Sequence, residues 1–431
     1  MRIVLVGAGS HSFGGAQIAD ILQSTELRGR GISLWLVDED PLALDRMTRL
    51  ANRIRAHTGT DVAVESTPDR QEALPGARYV ITAVARQRMA LWEQDFRVPL
   101  AHGCHHCLGE NGGPGALFHT LRSLELMLPI CRDLERLCPE ALLLNFTNPE
   151  ARVLHAICHL TRVRAAGICH GVYTALASAA RYLQRPLEGL EIISAGMNHF
   201  YCLRRVTDRA TGADLLPALL ERVLADDPAA TPPLFRTFAE IFGLFVFPSD
   251  DHIGEYVSFG AEFSGTRWHY GQECRPVRRD RASAEPQWVE AVADGRAPVD
   301  ERVLRPSGEV TVPIISDIEL DRHAFRPAVN VLNSGGYIAN LPSDCVVEVP
   351  AHVDAQGLHP VSVGSLPESF AALIRPHLTI AELITEAFRT RSRQLLLQAL
   401  VLDPNVHSTV AARRLLDEML LLQRDWLPSF A

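Results

Sequence analysis

A chain of 431 residues exceeds one ordinary core and implies about two domains, or one large α/β unit with insertions. With 47% hydrophobic and 22% charged residues it has the composition of a folded globular protein, not a disordered one. A formal charge of −9 leaves no basic footprint for nucleic acid or an anionic membrane surface, so a small molecule is the expected partner.

RIVLVG (2–7) is a short continuous apolar run that stops at glycine, and GAGSHSFGGAQIADIL takes on helical spacing after Gly14. Strand, tight turn and helix follow from that pattern. ISLWLVDED (32–40) reads as a second buried strand with a helix after it over 41–57. VAVE, ARYVITAV, ALLLNF and VRAAGICH come next, separated by segments of helical period. Strands alternating with helices predict an α/β fold, a Rossmann-like doubly wound parallel sheet. The second half reads as mixed α/β, giving a lactate/malate dehydrogenase-like architecture. It has turn chemistry in FPSDDH, β-rich runs in EVTVPIISDI (309–318) and CVVEVPAHVD (345–354), and closing helices over 379–401 and 407–424. Pro and Gly joints near 185–195 divide the chain into a nucleotide-binding domain, 1–195, and a substrate, metal and oligomerisation domain, 196–431.

Gly7 and Gly9 form a G-x-G turn between strand and helix, with Ser10 beside them. Such a turn lets backbone approach a pyrophosphate and aims helix N–H groups at it. Ser12 stands where a third glycine is expected, so the fingerprint is incomplete. Asp38 strengthens it: a carboxylate at the end of the second strand can accept from both ribose hydroxyls of NAD and would repel the extra phosphate of NADP.

The most metal-like cluster in the chain is GCHHCLG, with Cys104, His105, His106 and Cys107. A structural zinc site draws two separated ligand pairs, and this one has no partner pair at a suitable spacing. Nine scattered cysteines in all fit buried thiols of a reducing compartment. The N-terminal apolar run is too short for a signal core, and no stretch is long enough to span a bilayer, so a cytoplasmic location is expected.

Several stretches read together resemble glycoside hydrolase family 4: GAGS, DFRVPLAHG, LGENGGPGALFHTLRSLELM, LLLNFTNPEARVLHAI, GICHGVY, AGMNHFYCL, SDDHIGEY and NSGGYIANLPSDCVVEVPAHVDAQGLHPVSVG. They occur in the family's order and cover almost the whole chain. The resemblance implies an NAD- and divalent-metal-dependent glycosidase, with Mn2+ the usual ion, acting on a small-molecule glycoside as a homodimer or homotetramer. It implies Cys169 and His199 as metal ligands, a thiolate and an imidazole suiting a borderline divalent ion. Asn148 is implied near cofactor and sugar; its other reading is helix capping before Pro149. Glu110, in the GENGGPG loop, is implied as a cleft residue, and His119 as a substrate contact where many relatives carry arginine.

The resemblance also implies the chemistry: hydride leaves C3 of the sugar for NAD, the C2 proton becomes acidic, the aglycone leaves C1, water adds, and the hydride returns. His170, after the metal cysteine, takes the place of the acid, an assignment that competes with a substrate-hydroxyl contact. Asp250 is the expected base, with Asp251 open as an alternative and His252 and Glu255 beside it. The CHGV start resembles the α-glucuronidase and α-galacturonidase subgroup, which points to an α-hexuronide; α-galactoside and α-glucoside are the alternatives within the family. A 2-hydroxy acid dehydrogenase is the rival outside it, though its Arg/Asp/His set has no clear place in this chain.

Overall fold

The computed structural model describes residues 1–10, 13–266, 268 and 288–431. Six short strands, β1 (Arg2–Val6), β2 (Ser33–Val37), β3 (Ala63–Thr67), β4 (Ala77–Thr82), β5 (Leu142–Asn145) and β6 (Arg164–Gly167), pair in parallel in the order β3-β2-β1-β4-β5-β6. Ile3, Val4 and Leu5 of β1 are fully buried, as helices on both faces require, which is why such strands read as continuous apolar runs. The crossover helices begin where the sequence signals them. Pro41 opens Pro41–Thr58, and the Asp40 carboxylate accepts from the N–H groups of Leu42 and Ala43.

The sheet continues past β6. The hairpin β7 (Leu190–Met197) and β8 (Phe200–Asp208), then β9 (Ala324–Leu332), β10 (Val346–Asp354) and β11 (Gly357–Pro360), extend it antiparallel in the order β6-β9-β10-β7-β8, with β11 on β10. The joint between β6 and β9 is the single pair Gly167 and Asn330, and that between β10 and β7 is Glu348 and Gly196. The apolar runs that announce strands do not include β7, β8 or β9; Glu191 and Ser194 interrupt the first, Arg204 and Arg205 the second, and Pro327 lies inside the third.

Two expectations are corrected. EVTVPIISDI is not β-structure; Thr311–Leu320 is a helix with Thr311, Val312, Ile314, Ile315, Ser316, Asp317 and Ile318 all buried. A helix buried on nearly every side carries no 3.6-residue alternation, and Pro313 in its first turn removes no internal hydrogen bond. The helix expected over 379–401 begins at Glu368, ends at Thr390, and restarts as Arg393–Leu402 after Arg391 takes φ of 59° and Ser392 caps the new helix through Leu395 N–H. The last helix is Thr409–Leu422. Among the described residues no helix is long and apolar enough to cross a membrane.

One buried ion pair holds the site's frame. Asp95, fully buried on the helix Arg88–Ala101, accepts from Arg122 on the helix Gly113–Leu137 at 2.9 and 2.5 Å and from Gln423 at 3.0 Å. Removing one partner would strand a buried charge, so these helices and the chain's end are tied together.

Candidate active site

A cleft of about 330 Å³ opens at the carboxyl ends of β1, β2, β4 and β5, lined by Gly7, Gly9, Ser10, Asp38, His119 and Asn148 among others. Gly7 has φ of +86°, and a Cβ there would collide with the Ala83 carbonyl. The Gly9 N–H donates to Asp38 Oδ2 at 2.7 Å, and Asp40 N–H to Oδ1 at 2.9 Å. Asp38 thus stands at the strand end where a ribose would meet it. Ser12 lies outside the described residues; the close helix–strand approach is made by Gly14, whose Cβ would overlap the Ala8 carbonyl. Backbone close enough for a pyrophosphate, with a carboxylate at the ribose position, fits a dinucleotide.

Next to the His119 and Asn148 end of the cleft lies the GENGGPG loop. Glu110, buried, is ion-paired with Arg88 and accepts from Asn148 Nδ2 at 3.2 Å. Burial alone would raise its pKa, but the Arg88 charge, foremost among its neighbours, brings it below the usual carboxylate value. His119 Nδ1 lies 2.8 Å from the Glu110 carbonyl, and burial followed by the Arg122 charge drives its pKa to about 3, so it is a neutral hydrogen-bonding ring. Asn148 does not cap the following helix, which has no side-chain cap; its side chain faces Glu110.

Cys169 follows β6, and His199 occupies the β7–β8 turn with φ of +62°, an uncommon conformation for a residue with a Cβ. Chain segments 30 residues apart place Cys169 Sγ 3.3 Å from His199 Nε2. Burial, then the Glu348 charge, pushes the thiol well up; burial, then His252, brings the imidazole down to about 3. Burial, more than any charge, therefore favours the protonated sulfur and the neutral nitrogen. A divalent ion is the group that would reverse the first and use the second, so the donor pair fits one. Among the described residues no group of three or more His, Cys, Asp or Glu is placed to hold an ion, which leaves other coordination positions to water or sugar oxygens.

Around this pair stand two more groups. The His252 ring centroid is 4.7 Å from that of His199, and its Nδ1 lies 3.0 Å from Asp251 Oδ1, which also accepts from Ser249 Oγ at 2.7 Å. Burial disfavours charge on His252, but Asp251, Glu255 and Glu110 outweigh it and the pKa is raised. His170, half exposed, places Nδ1 2.7 Å from Glu309 Oε1, and that bond raises its pKa. Asp250, the expected base, is not brought to the group: its two oxygens accept from the N–H groups of Leu234 and Phe235 at 3.0 and 2.9 Å. It holds the start of a neighbouring helix instead. Arg88 and Glu309 are site residues that sequence reasoning missed, since no local pattern links positions 22 or 139 residues apart to their partners.

GCHHCLG separates into four environments. Cys104 and Cys107 are buried, with pKa values pushed up to about 11 and about 12 by burial, and Cys107 Sγ lies 2.8 Å from Ser264 Oγ. His105 is exposed, while His106 is buried with Nε2 2.9 Å from the Phe96 carbonyl. A Cβ on Gly109 would stand 2.8 Å from the His106 ring, so this histidine underlies the GENGGPG loop.

Fold and site together define a Rossmann-like enzyme scaffold with a cleft at a glycine turn and a thiol–imidazole pair beyond the end of the sixth strand. Residues 2–184 match the model of the family 4 glycosyl hydrolases, and residues 194–406 match that family's C-terminal domain. An α-glucosidase of Erwinia rhapontici is 31% identical, with 99% of this chain and 98% of that protein covered; an α-galactosidase of Bacillus subtilis (strain 168) is 28% identical, with 100% and 99% covered. A solved 6-phospho-α-glucosidase from gut microorganisms, in complex with NAD and Mn2+, superposes with a TM-score of 0.86 at 21% identity, covering 100% of this chain and 99% of that one. The chain belongs to glycosyl hydrolase family 4 and is a glycosidase.

Proposed function

We propose that this glycosidase cleaves an α-glycoside with NAD and a divalent ion such as Mn2+. The observation that carries the reading is the Cys169–His199 pair, its donors 3.3 Å apart, in a chain whose cleft is lined by Asp38, the glycine turn, Asn148 and His119. When bound, NAD supplies a hydride acceptor that returns what it takes, and the ion supplies a Lewis acid for the sugar's oxygens. The chain's residues do the rest. Glu110, held by Arg88, and Asn148 orient sugar hydroxyls. Asp251 fixes the His252 ring through Nδ1, which leaves Nε2 to take the C2 proton, as a carboxylate-oriented imidazole does elsewhere. This pair replaces Asp250 as the base. His170, its acid form favoured by the bond to Glu309, protonates the leaving oxygen.

For the sugar we propose an α-hexuronide. Gly171 faces the centre, and a Cβ there would meet Cys169 Sγ and Phe247 at 3.5 Å and His199 at 3.7 Å. The space a side chain would take beside the ligands is left for substrate. The second reading is an α-glucoside or α-galactoside, which the names of the two relatives above favour. Aryl α-glucuronide, α-galacturonide, α-glucoside and α-galactoside, each with NAD, Mn2+ and thiol reductant, decide among them. Release from a uronide with no net NADH is the expected result; release from no substrate by protein shown to bind Mn2+ and NAD overturns the activity. Net NADH from a hydroxy acid would instead mark a dehydrogenase. Exposed Val401, Leu402, Val410, Leu421 and Leu422 on the last two helices support a homo-oligomer, which a monomeric mass in solution would refute.

The acid assignment has a pH signature. A His170 pKa raised by Glu309 keeps the acid form present at low pH and loses it as pH rises through the raised value. Glu309→Gln removes the charge that raises it, so the alkaline limb of kcat should move to lower pH. We expect about a 3- to 10-fold loss near pH 8 with little change near pH 6. An unmoved alkaline limb in the kcat–pH profile would remove His170 as the acid.

A further inference from the structure

Beneath the Cys169–His199 pair, four strands meet along one row of residues. Gly167 on β6 is registered with Asn330 on β9, Asn330 with Glu348 on β10, and Glu348 with Gly196 on β7. The row ends two residues before Cys169 at one side and three before His199 at the other. Its side chains bond along the same line. Asn330 Nδ2 donates to the Gly167 carbonyl at 3.5 Å and to Glu348 Oε2 at 3.4 Å, and Asn198 Nδ2, next to His199, donates to the same Oε2 at 3.4 Å.

Asn198, Asn330 and Glu348 are each only 1% exposed. A carboxylate at that depth is costly and needs a reason to be there. The backbone gives one. At both joints the ladder is reduced to a single residue pair, so backbone pairing alone scarcely fixes where the end of β6 stands relative to the β7–β8 turn. The side chains bridge these thin places. Close strand approach is built in: a Cβ on Gly196 would stand 2.5 Å from Tyr201 Cα, and one on Gly167 would overlap the buried Glu150 carboxylate.

We propose that Glu348 and Asn330 are positioning residues for the ion: one carboxylate oxygen, shared by two asparagine side chains, ties the strand end carrying Cys169 to the turn carrying His199 and sets the spacing of the two donors. The proposal rests on the reading of Cys169 and His199 as metal ligands. It makes Glu348 and Asn330 determinants of metal affinity although neither touches the ion.

The test titrates Mn2+ into the NAD-loaded protein and follows the spin-resonance signal of free Mn2+, with NAD affinity measured in parallel as a check on folding. Glu348→Leu and Asn330→Leu should each weaken Mn2+ by about 10- to 100-fold at unchanged NAD affinity, whereas Glu348→Gln, whose amide oxygen can accept from both asparagines, should stay within about 3-fold of the parent. Where a leucine prevents folding, Asn330→Ser, smaller and still polar, must show the same weakening. Unchanged Mn2+ affinity in the folded Leu or Ser variants overturns the proposal, and so does a Glu348→Gln loss as large as that of Glu348→Leu. Cys169→Ser separates the two readings: Mn2+ binding that survives it defeats the ligand assignment itself, whereas binding lost there but intact in the row variants defeats only the positioning role.

Discussion

Cys169→Ser is expected to lower turnover by at least about 10³-fold and Mn2+ affinity by about 100-fold. Cys169 and His199 lie 3.3 Å apart, and among the described residues no third His, Cys, Asp or Glu stands with them to compensate. A serine hydroxyl is smaller than a thiol and far harder to deprotonate, and it supplies no soft anionic sulfur. Burial already disfavours the charged sulfur, so the affinity that remains in the parent comes from the ion's own charge, and a neutral oxygen cannot return it. The loss should appear with NAD affinity intact, because neither Cys169 nor His199 lines the cleft that Asp38 and the glycine turn form. Steady-state release of aryl aglycone over a Mn2+ series, beside direct Mn2+ titration, checks it. Full activity at saturating Mn2+ would remove Cys169 from the site.

The parallel half was legible because its strands are buried on both faces: RIVLVG and ALLLNF leave no choice but strand, and the helix after the second strand opens at Pro41 as turn chemistry demands. The helix Thr311–Leu320 was not, since burial on almost every side erases the periodicity that tells a helix from a strand. The same logic divides the site. Gly7, Gly9 and Asp38 act through local geometry, a turn and a strand end, so their neighbours in sequence reveal them. Cys169 and His199 became visible only through motif resemblance, and their proximity is a property of sheet order. Asp250 shows the limit: in Ser249-Asp250-Asp251-His252 either carboxylate could face the cleft, and only the position of Leu234 and Phe235, which claim Asp250, turns Asp251 toward His252. Glu309, Arg88 and Glu348 belong to the same class of residue, found through partners distant in sequence.

Asp38→Ala should raise the dissociation constant of NAD by about 100-fold while leaving kcat at saturating NAD within about 3-fold of the parent. Two losses add. The ribose hydroxyls lose a charged acceptor, a contact stronger than a neutral hydrogen bond. In addition, the N–H groups of Gly9 and Asp40, which now donate to the two carboxylate oxygens, lose the partner that holds the turn against the end of β2. Both act on ground state and transition state alike, because Asp38 stands at the end of β2 and, on the proposed reading, the reacting carbons lie beside Cys169, His199 and His252. An interaction equally strong in the two states changes the concentration of NAD required and not the rate once the site is filled. NADP should remain a poor substitute for the parent and gain relative to NAD in the variant, since the carboxylate that repels its extra phosphate is gone. Titration of NAD and NADP by protein fluorescence, alongside the NAD dependence of aryl-glycoside cleavage, measures both effects. A fall in kcat that excess NAD does not restore would mean that the turn positions the nicotinamide as well as the ribose; an unchanged dissociation constant would show that Asp38 serves the fold of the turn and not the cofactor.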